Sequence, residues 1–580
     1  MKKTLLKIAV AAIIASGFLF VSCGSDDAKK LTPEEQLKTS LTKAVVGDMK
    51  TFVAGMSENQ KSFDLTNFGY DTELSVTIGE AFRPIINSLL GDNYINLNTD
   101  WFKSVQVSLK TVLTDKAMRV KVKAGLNNTD IISVDLAEDT QNSVAYLSIP
   151  ELTKTSFSLK ESQLGYSAKE MMNMYLDEVK FLSTVPEESV FTGFANELLD
   201  SFISPLNNVS RSKETVQAGL NDSQKVSAEY TVLSVIIDED AGEKMAKSVS
   251  KAIKDSSNFS TIISWMNDFY SDISGERMKT GEIVNGIAEE VYDAIEDFFY
   301  YSEVSVDLFV DNKSNLAGAR VNIEDEGSVY VVMPQSGKAF GYIFAVAEGD
   351  PSEFNFNNIA NRALFTLNGY GSYTGGKMTG DFDFTVDGEK IVSFETNALD
   401  IAGLKSAKAN GSITIHPNAA AKNEIEDYMS YDLGLGDSIA SLADNMSFQI
   451  DMVQKDRNSA KIALSLVNGK ETYLTYGVSC VAEKPTDVSF PKSDVIALDE
   501  NAYDEYENII NTIDTSAVIA NLKKAKVADE YIAPLEGITT DALIDLVEDR
   551  LGGGYNYYDD YDYYDYDDYD YYDDYDDYWW

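Results

Sequence analysis

Histidine is almost missing from this chain: His416 is the only one among 580 residues. A multi-histidine metal site is thereby excluded, and any histidine-dependent catalytic triad would have to form around that one residue. Cysteine is nearly as scarce, and two residues, Cys23 and Cys480, are too few for a cysteine-based metal site. Beyond residue 22 no apolar run approaches the roughly 18–20 residues that a membrane-crossing helix needs. Basic side chains are outnumbered, 48 against 94 acidic ones, for a formal net charge of −46. That field repels the phosphates of nucleic acid and anionic lipid surfaces, and it excludes nucleic acid as a natural partner. Phosphate-cradling glycine loops and dinucleotide fingerprints are also missing, so no cofactor is expected.

The chain opens on Lys2, Lys3 and Lys7, followed by an uncharged run from Ile8 to Val21. The run is too short to span a bilayer and has the layout of a signal peptide. It ends in Phe20-Val21-Ser22-Cys23-Gly24, which resembles the bacterial lipobox, with Phe20 at the position where leucine is commonest. The resemblance implies cleavage before Cys23 and a diacylglycerol thioether on its sulfur. At about 0.8 kcal/mol per buried methylene, two or three chains make a lasting anchor. With Cys23 so consumed, no disulfide can form within the mature chain, and Cys480 is expected to be a small buried apolar residue in alternation with Leu474, Tyr476 and Val478. Asp26 and Asp27 resemble, in weak form, the acidic cluster that directs some lipoproteins to the cell surface, but Gly24–Lys30 is first of all a solvated tether. The expected location is the cell envelope, at the outer membrane or cell surface.

Periodicity predicts an α+β fold of antiparallel β-meanders and amphipathic helices in two or more domains. Thr32-Pro33-Glu34-Glu35 is a capping box, and Leu37, Leu41, Val45, Met49, Phe52 and Met56 follow at helical spacing. Val105, Val107 and Leu109 then alternate with polar residues, as do Met118, Val120 and Val122, and, after turn chemistry at Asn127-Asn128, Ile132, Val134 and Leu136. This predicts a meander with one wet face and one buried face. A second capping box, Ser167-Ala168-Lys169-Glu170, precedes a helical pattern that resumes after a strand at Val226–Ile237 and runs to Tyr301. Further meanders start at Val304 and Leu364, with Asp387-Gly388 and Asn468-Gly469 as hairpin turns. The expected segments are a signal peptide (1–22), a lipidated tether (23–31), an α+β domain (32–300), a meander-rich domain (301–490), a helical segment (491–551) and a tail (552–580).

The tail from Tyr555 to Trp580 holds 12 Tyr and 11 Asp with no basic residue. Like charge at that density opposes collapse, so disorder is expected. It is read as a solvated tail, with contacts to glycans or envelope proteins as the functional alternative.

Catalytic patterns are thin. Ser40-Leu41-Thr42-Lys43 and Lys279-Thr280-Gly281 match S-x-x-K and K-T-G, but Ser40 is expected on the polar side of a helix and Thr280 leads into another helix, so both are chance matches. His416 alternates against Ile413 and Ile415 and is expected toward solvent. Asp381 and Asp383 alternate with Phe382 and Phe384 and should line the solvated face of a strand. No catalytic or metal-binding residue is assigned, and Cys23 stands as the one modification site.

The helix-plus-meander pattern is similar, over 100–160 and 364–480, to lipid-carrier lipoproteins of the LolA and LppX type, in which a curved sheet encloses an apolar cavity. It also resembles large envelope lipoproteins with domains of unknown function. The carrier resemblance implies a hydrophobic ligand, with Met171, Met172, Met174 and Phe298–Tyr301 as cavity lining; otherwise these residues form packed core. Three readings follow: a non-catalytic binding or scaffold lipoprotein, a carrier of lipid or another hydrophobic ligand, and a carboxylate-dependent hydrolase.

Overall fold

The computed structural model describes residues 31–47, 49–51, 53–54, 67–83, 100–114, 116–160, 184–274, 277–300, 302–324, 327–348, 363–405, 408–420, 422–423, 446–456, 458–485, 488–498, 509–539 and 542. Cys23, the second capping box, Met171, Met172, Met174, Tyr301 and the tail from 552 lie outside them.

A first meander is formed by β1 (Phe68–Ile78), β2 (Ser104–Leu113), β3 (Ala117–Leu126), β4 (Thr129–Asp139), β5 (Val144–Ser148) and β6 (Ser156–Lys160). Its strands follow from the alternation of apolar and polar residues, and its turns from local chemistry. Asn127 and Asn128, between β3 and β4, have φ of 50° and 61°, a left-handed pair that asparagine tolerates better than most residues.

The second run of strands begins with β7 (Ser210–Asn221) and β8 (Gln224–Ile237) and resumes after three helices. It continues through β9 (Val304–Val310), β10 (Leu316–Ile323), β11 (Gly327–Val332), β12 (Gln335–Ser336), β13 (Ala339–Ala347) and β14 (Ala363–Thr374). The last members are β15 (Lys377–Val386), β16 (Glu389–Asp400), β17 (Gly411–Pro417), β18 (Met446–Asp456), β19 (Ser459–Asn468), β20 (Glu471–Glu483) and β21 (Val495–Ala497).

The 21 strands of the described residues belong to one sheet. From one edge its order is β21, β6, β5, β4, β3, β2, β1, β20, then down through β19 to β13, and on through β11, β10, β9 and β8 to β7. The short β12 pairs with the start of β13. Among the described residues each pairing is antiparallel except that of β21 with β6. The first meander joins the second through β1 and β20, so residues some 400 positions apart share a ladder. The ladder also crosses residues 300 and 301 through the pairing of β8 with β9.

At its β7 end the sheet rolls over itself. Val216 and Ala218 of β7 share a buried cluster with Ile343 and Ala345 of β13 and with Phe309. The crossing is so close that a Cβ on Gly341 would stand 1.9 Å from the carbonyl oxygen of Ala218. Within this roll Arg320 is 16% exposed and bonds Asp307 at 2.8 Å and Glu214 at 3.1 Å. Burial works against its charge, but the two carboxylates outweigh burial and raise its pKa.

The outer face of the roll carries the main helical layer. Helix α1 (Pro33–Leu41), α2 (Glu188–Ile203), α3 (Glu239–Asp255), α4 (Ser257–Ser274) and α5 (Thr280–Tyr300) supply it. Met245, Val249 and Ile253 of α3 and Val284 and Ala288 of α5 pack with Leu308, Ala319, Val329 and Val346 of the sheet. Asp238 caps α3 by accepting the Ala241 N–H at 2.9 Å. The short α6 (Ile401–Lys405) follows β16, while α7 (Ser516–Lys524) and α8 (Asp529–Glu536) pack around Ile131 at the β3–β4 end.

Three sequence expectations are corrected. The capping box at Thr32 and Glu35 forms, but the single apolar face predicted beyond it does not persist. A π-turn over Thr42–Val46, closed by the Gly47 N–H on the Thr42 carbonyl, shifts the register, burying Ala44 and Val46 and leaving Met49 exposed. Ser40 is fully buried rather than on the polar side, because its hydroxyl donates to the Gln36 carbonyl at 2.8 Å and needs no solvent. Val495–Ala497, expected to be helical, is a parallel strand beside β6.

Candidate ligand-binding face

The alternation within each strand becomes, through the register, a continuous apolar face across many strands. Ile450, Leu464, Tyr476, Val76 and Val105 stand opposite one another in succession across β18, β19, β20, β1 and β2. A second file runs parallel to it through Met452, Ile462, Val478, Leu74, Val107, Ala124 and Ile132. A third passes through Cys480, Thr72, Leu109, Val122 and Val134. Cross-strand neighbours on one face lie about 5 Å apart, so the files form a fabric of aliphatic side chains with shallow furrows between them.

This face continues the outer face of the roll. Phe344 packs against the helical core and pairs with Leu367, which pairs with Phe384; Tyr342 pairs with Gly369, and Gly369 with Phe382. Gly369 has no side chain because the Phe382 ring lies where its Cβ would be, at 2.3 Å. Burial pushes the pKa of the Tyr342 hydroxyl upward at this covered end.

Beyond β14 the cover thins. Ile462 is 50% exposed, Leu464 and Tyr476 44%, and Leu74 41%, with Val107, Leu109 and Val134 close behind. Among the described residues this side is touched near its ends: Phe82 stacks on Tyr473 at 5.8 Å, and Leu126, opposite Val105, packs with Ala525, Val527 and Ile532 of the α7–α8 corner. Six adjacent strands, β19 to β4, span about 24 Å at ordinary strand spacing. Contiguous exposed apolar surface on that scale marks a binding surface in soluble proteins. Cys480 belongs to this face, half-buried, with the Thr72 hydroxyl 3.5 Å from its sulfur.

The reverse face is polar and largely self-satisfied. Lys110 bonds Glu483 at 2.5 Å, Lys123 bonds Asp130 at 2.7 Å, and Arg119 grips Asp135 with two nitrogens. His416 lies on this side, as its alternation requires, but it is engaged rather than free. Its Nδ1 is 2.7 Å from the Ser447 hydroxyl and its Nε2 is 3.1 Å from Glu395 Oε1. The three residues sit side by side on β18, β17 and β16, an arrangement with the composition of a serine–histidine–carboxylate triad. Ser447 is only 6% exposed, however, so a substrate carbonyl has no path to its oxygen, and the contact ties strands together.

Asp381 and Asp383 are on the same polar face, as expected. Asp383 accepts from Ser393 at 2.7 Å and Lys390 at 3.1 Å. The carboxyl of Asp381 is pushed up by desolvation and by the charges of Glu395 and Asp383, and His416 pulls it back in part. Thr280 begins α5, with Lys279 just before it, and both lie far in sequence from Ser40, whose hydroxyl is occupied. Phe298 and Phe299 pack into the helical core, with Phe299 against Gly242, and so belong to packed core rather than a cavity. Among the described residues no group of three or more His, Cys, Asp or Glu is placed to hold a metal ion, and no helix is long and apolar enough to cross a membrane.

What sequence reasoning missed was the site itself. The alternating residues were visible, but each strand was expected to bury its apolar side; only the register and the extent of the helical layer reveal which files stay open. No protein-family model, curated protein or solved structure matches the chain.

Proposed function

We propose that this is a non-catalytic, lipid-anchored envelope protein whose open apolar sheet face receives the acyl chains of a lipid or a similar hydrophobic ligand. The observation that carries this reading is the run of matched files through Leu464, Tyr476 and Leu74, exposed on six adjacent strands. Those side chains offer almost no hydrogen-bonding atoms, and the sheet's own backbone groups are paired, so the favoured ligand is one with nothing polar to satisfy there. A patch about 24 Å wide also exceeds the roughly 15 Å depth of one leaflet's hydrocarbon, enough to lay an acyl chain down along its length.

The acidic charge favours this role over docking on an anionic bilayer, which a net −46 opposes. Attachment through Cys23 would keep the face near a source of lipid. The test is native mass spectrometry of the chain from Gly24 onward, made in the cytoplasm and purified without detergent. Co-purifying lipid that organic solvent removes supports the reading. A clean mass, together with no binding of a palmitate-length fluorescent fatty acid, defeats it.

A further inference from the structure

A second site lies away from the open sheet face, on the outer side of the helical layer. Helix α4 carries two distinct stripes. One faces inward: Ile263 is in the helical core with Phe259 beside it, and the buried Asn267 donates to the Met278 carbonyl at 2.6 Å. The other lines an open cleft of about 880 Å³, bordered also by Thr184, Pro186 and the start of α5. That volume is in the range of small-molecule sites.

The lining has a definite chemistry. Trp265 and Phe269, one helical turn apart, place an indole and a phenyl ring along one wall. Hydroxyls come from Thr184, Ser260, Thr261, Ser264, Ser271 and Thr280. Ser260 and Thr261 already donate to the carbonyls of Ser256 and Ser257, at 3.0 Å and 2.8 Å, which leaves their lone pairs to accept. Asp268 and Arg277 meet across the mouth at 2.5 Å, yet their side chains remain 55% and 63% exposed, so both keep polar atoms for a ligand.

Ligand classes can be weighed against this lining. A purely apolar molecule would take the exposed Asp268–Arg277 pair and the hydroxyl oxygens of Ser260 and Thr261 out of water without replacing their hydrogen bonds. A simple ion would find the charges already compensated by each other. A neutral molecule with many hydroxyls and apolar C–H faces satisfies both parts: its faces stack on the aromatic rings, and its hydroxyls bond to serine, threonine, Asp268 and Arg277. We propose that this cleft binds a neutral saccharide.

The test is isothermal titration calorimetry on the full chain, held in a polyoxyethylene detergent that carries no sugar. The probes are maltohexaose, cellohexaose and chitohexaose, each taken to about 10 mM. The expected result is binding of at least one of them, weakened about tenfold or more by Trp265→Ala and severalfold by Arg277→Ala. Arg277 is exposed, so its variant decides the matter should the circular dichroism of the tryptophan variant change. The proposal is overturned if none of the three sugars binds, or if one binds and the correctly folded variants bind it as the parent does.

Discussion

Leu74 of β1 stands directly opposite Val478 of β20, and that pair joins the first meander of the chain to its second run of strands. The same pair lies in the middle of the open apolar face, with Ile462 on one side and Val107 on the other. The pairing that joins the two runs of strands therefore also builds the centre of the open apolar face.

Ile462 is half exposed, so replacing it with Asn removes apolar surface from the face without opening a cavity. Ile462→Asn is expected to lower affinity for a fluorescent fatty acid about tenfold, while unfolding free energy changes by about 0.5 kcal/mol or less. Titration and urea unfolding measure the two. Equal loss of binding and stability would assign the residue to the core instead.

Gly341→Val should be severely destabilising. The Ala218 carbonyl occupies the space that any Cβ at 341 would need, and backbone on both sides leaves little room to yield. A cost of about 2–4 kcal/mol is expected, read as a lower denaturant midpoint. An unchanged midpoint would mean that β7 does not cross β13 as described.

Arg320→Leu leaves Asp307 partly buried without its cation and frees Glu214. The expected loss is about 3 kcal/mol. Combining it with Asp307→Leu should recover part of that loss, because the stranded charge is then gone. A double variant as unstable as the sum of the singles would show that the pair is uncoupled.

The raised carboxyl of Asp381 gives a pH dependence of known sign. Its folded pKa lies above the unfolded value, so the folded state binds the proton more tightly and is favoured at low pH. That advantage is lost as pH rises through the folded pKa, and above it the carboxylate is a liability. Asp381→Asn should therefore raise the thermal midpoint at neutral pH, and the gain should vanish as pH falls into the ordinary carboxylate range. A gain that persists at low pH would contradict the assigned cause.

Much of the fold was legible in the chain. Strands such as Val120–Val122 and Ile132–Leu136 announce themselves by alternation, and Asn127-Asn128 and Asp387-Gly388 by turn chemistry, because both signals are local. The pairing of Leu74 with Val478 was not legible, since nothing near either residue specifies a partner some 400 positions away. The π-turn at Thr42–Val46 was hidden for a related reason: the regular helical period gives way where Ala44 packs into the helical core and Val46 is buried. His416 was correctly placed on the polar face, but its partners Ser447 and Glu395 come from neighbouring strands and depend on register. The open face was written in the alternation yet indistinguishable from buried core, because exposure depends on where the helices stop.

The most direct measurement is photolabelling with a diazirine-bearing fatty acid, followed by mapping of the modified residues by mass spectrometry. Neighbouring positions on these strands point to opposite faces, so each peptide contains its own control. The label should appear at Leu74, Val107, Ile462 and Leu464 and spare Glu73, Lys110 and Lys461. Label on the polar face, or none on these strands at saturating ligand, would contradict an acyl-binding sheet.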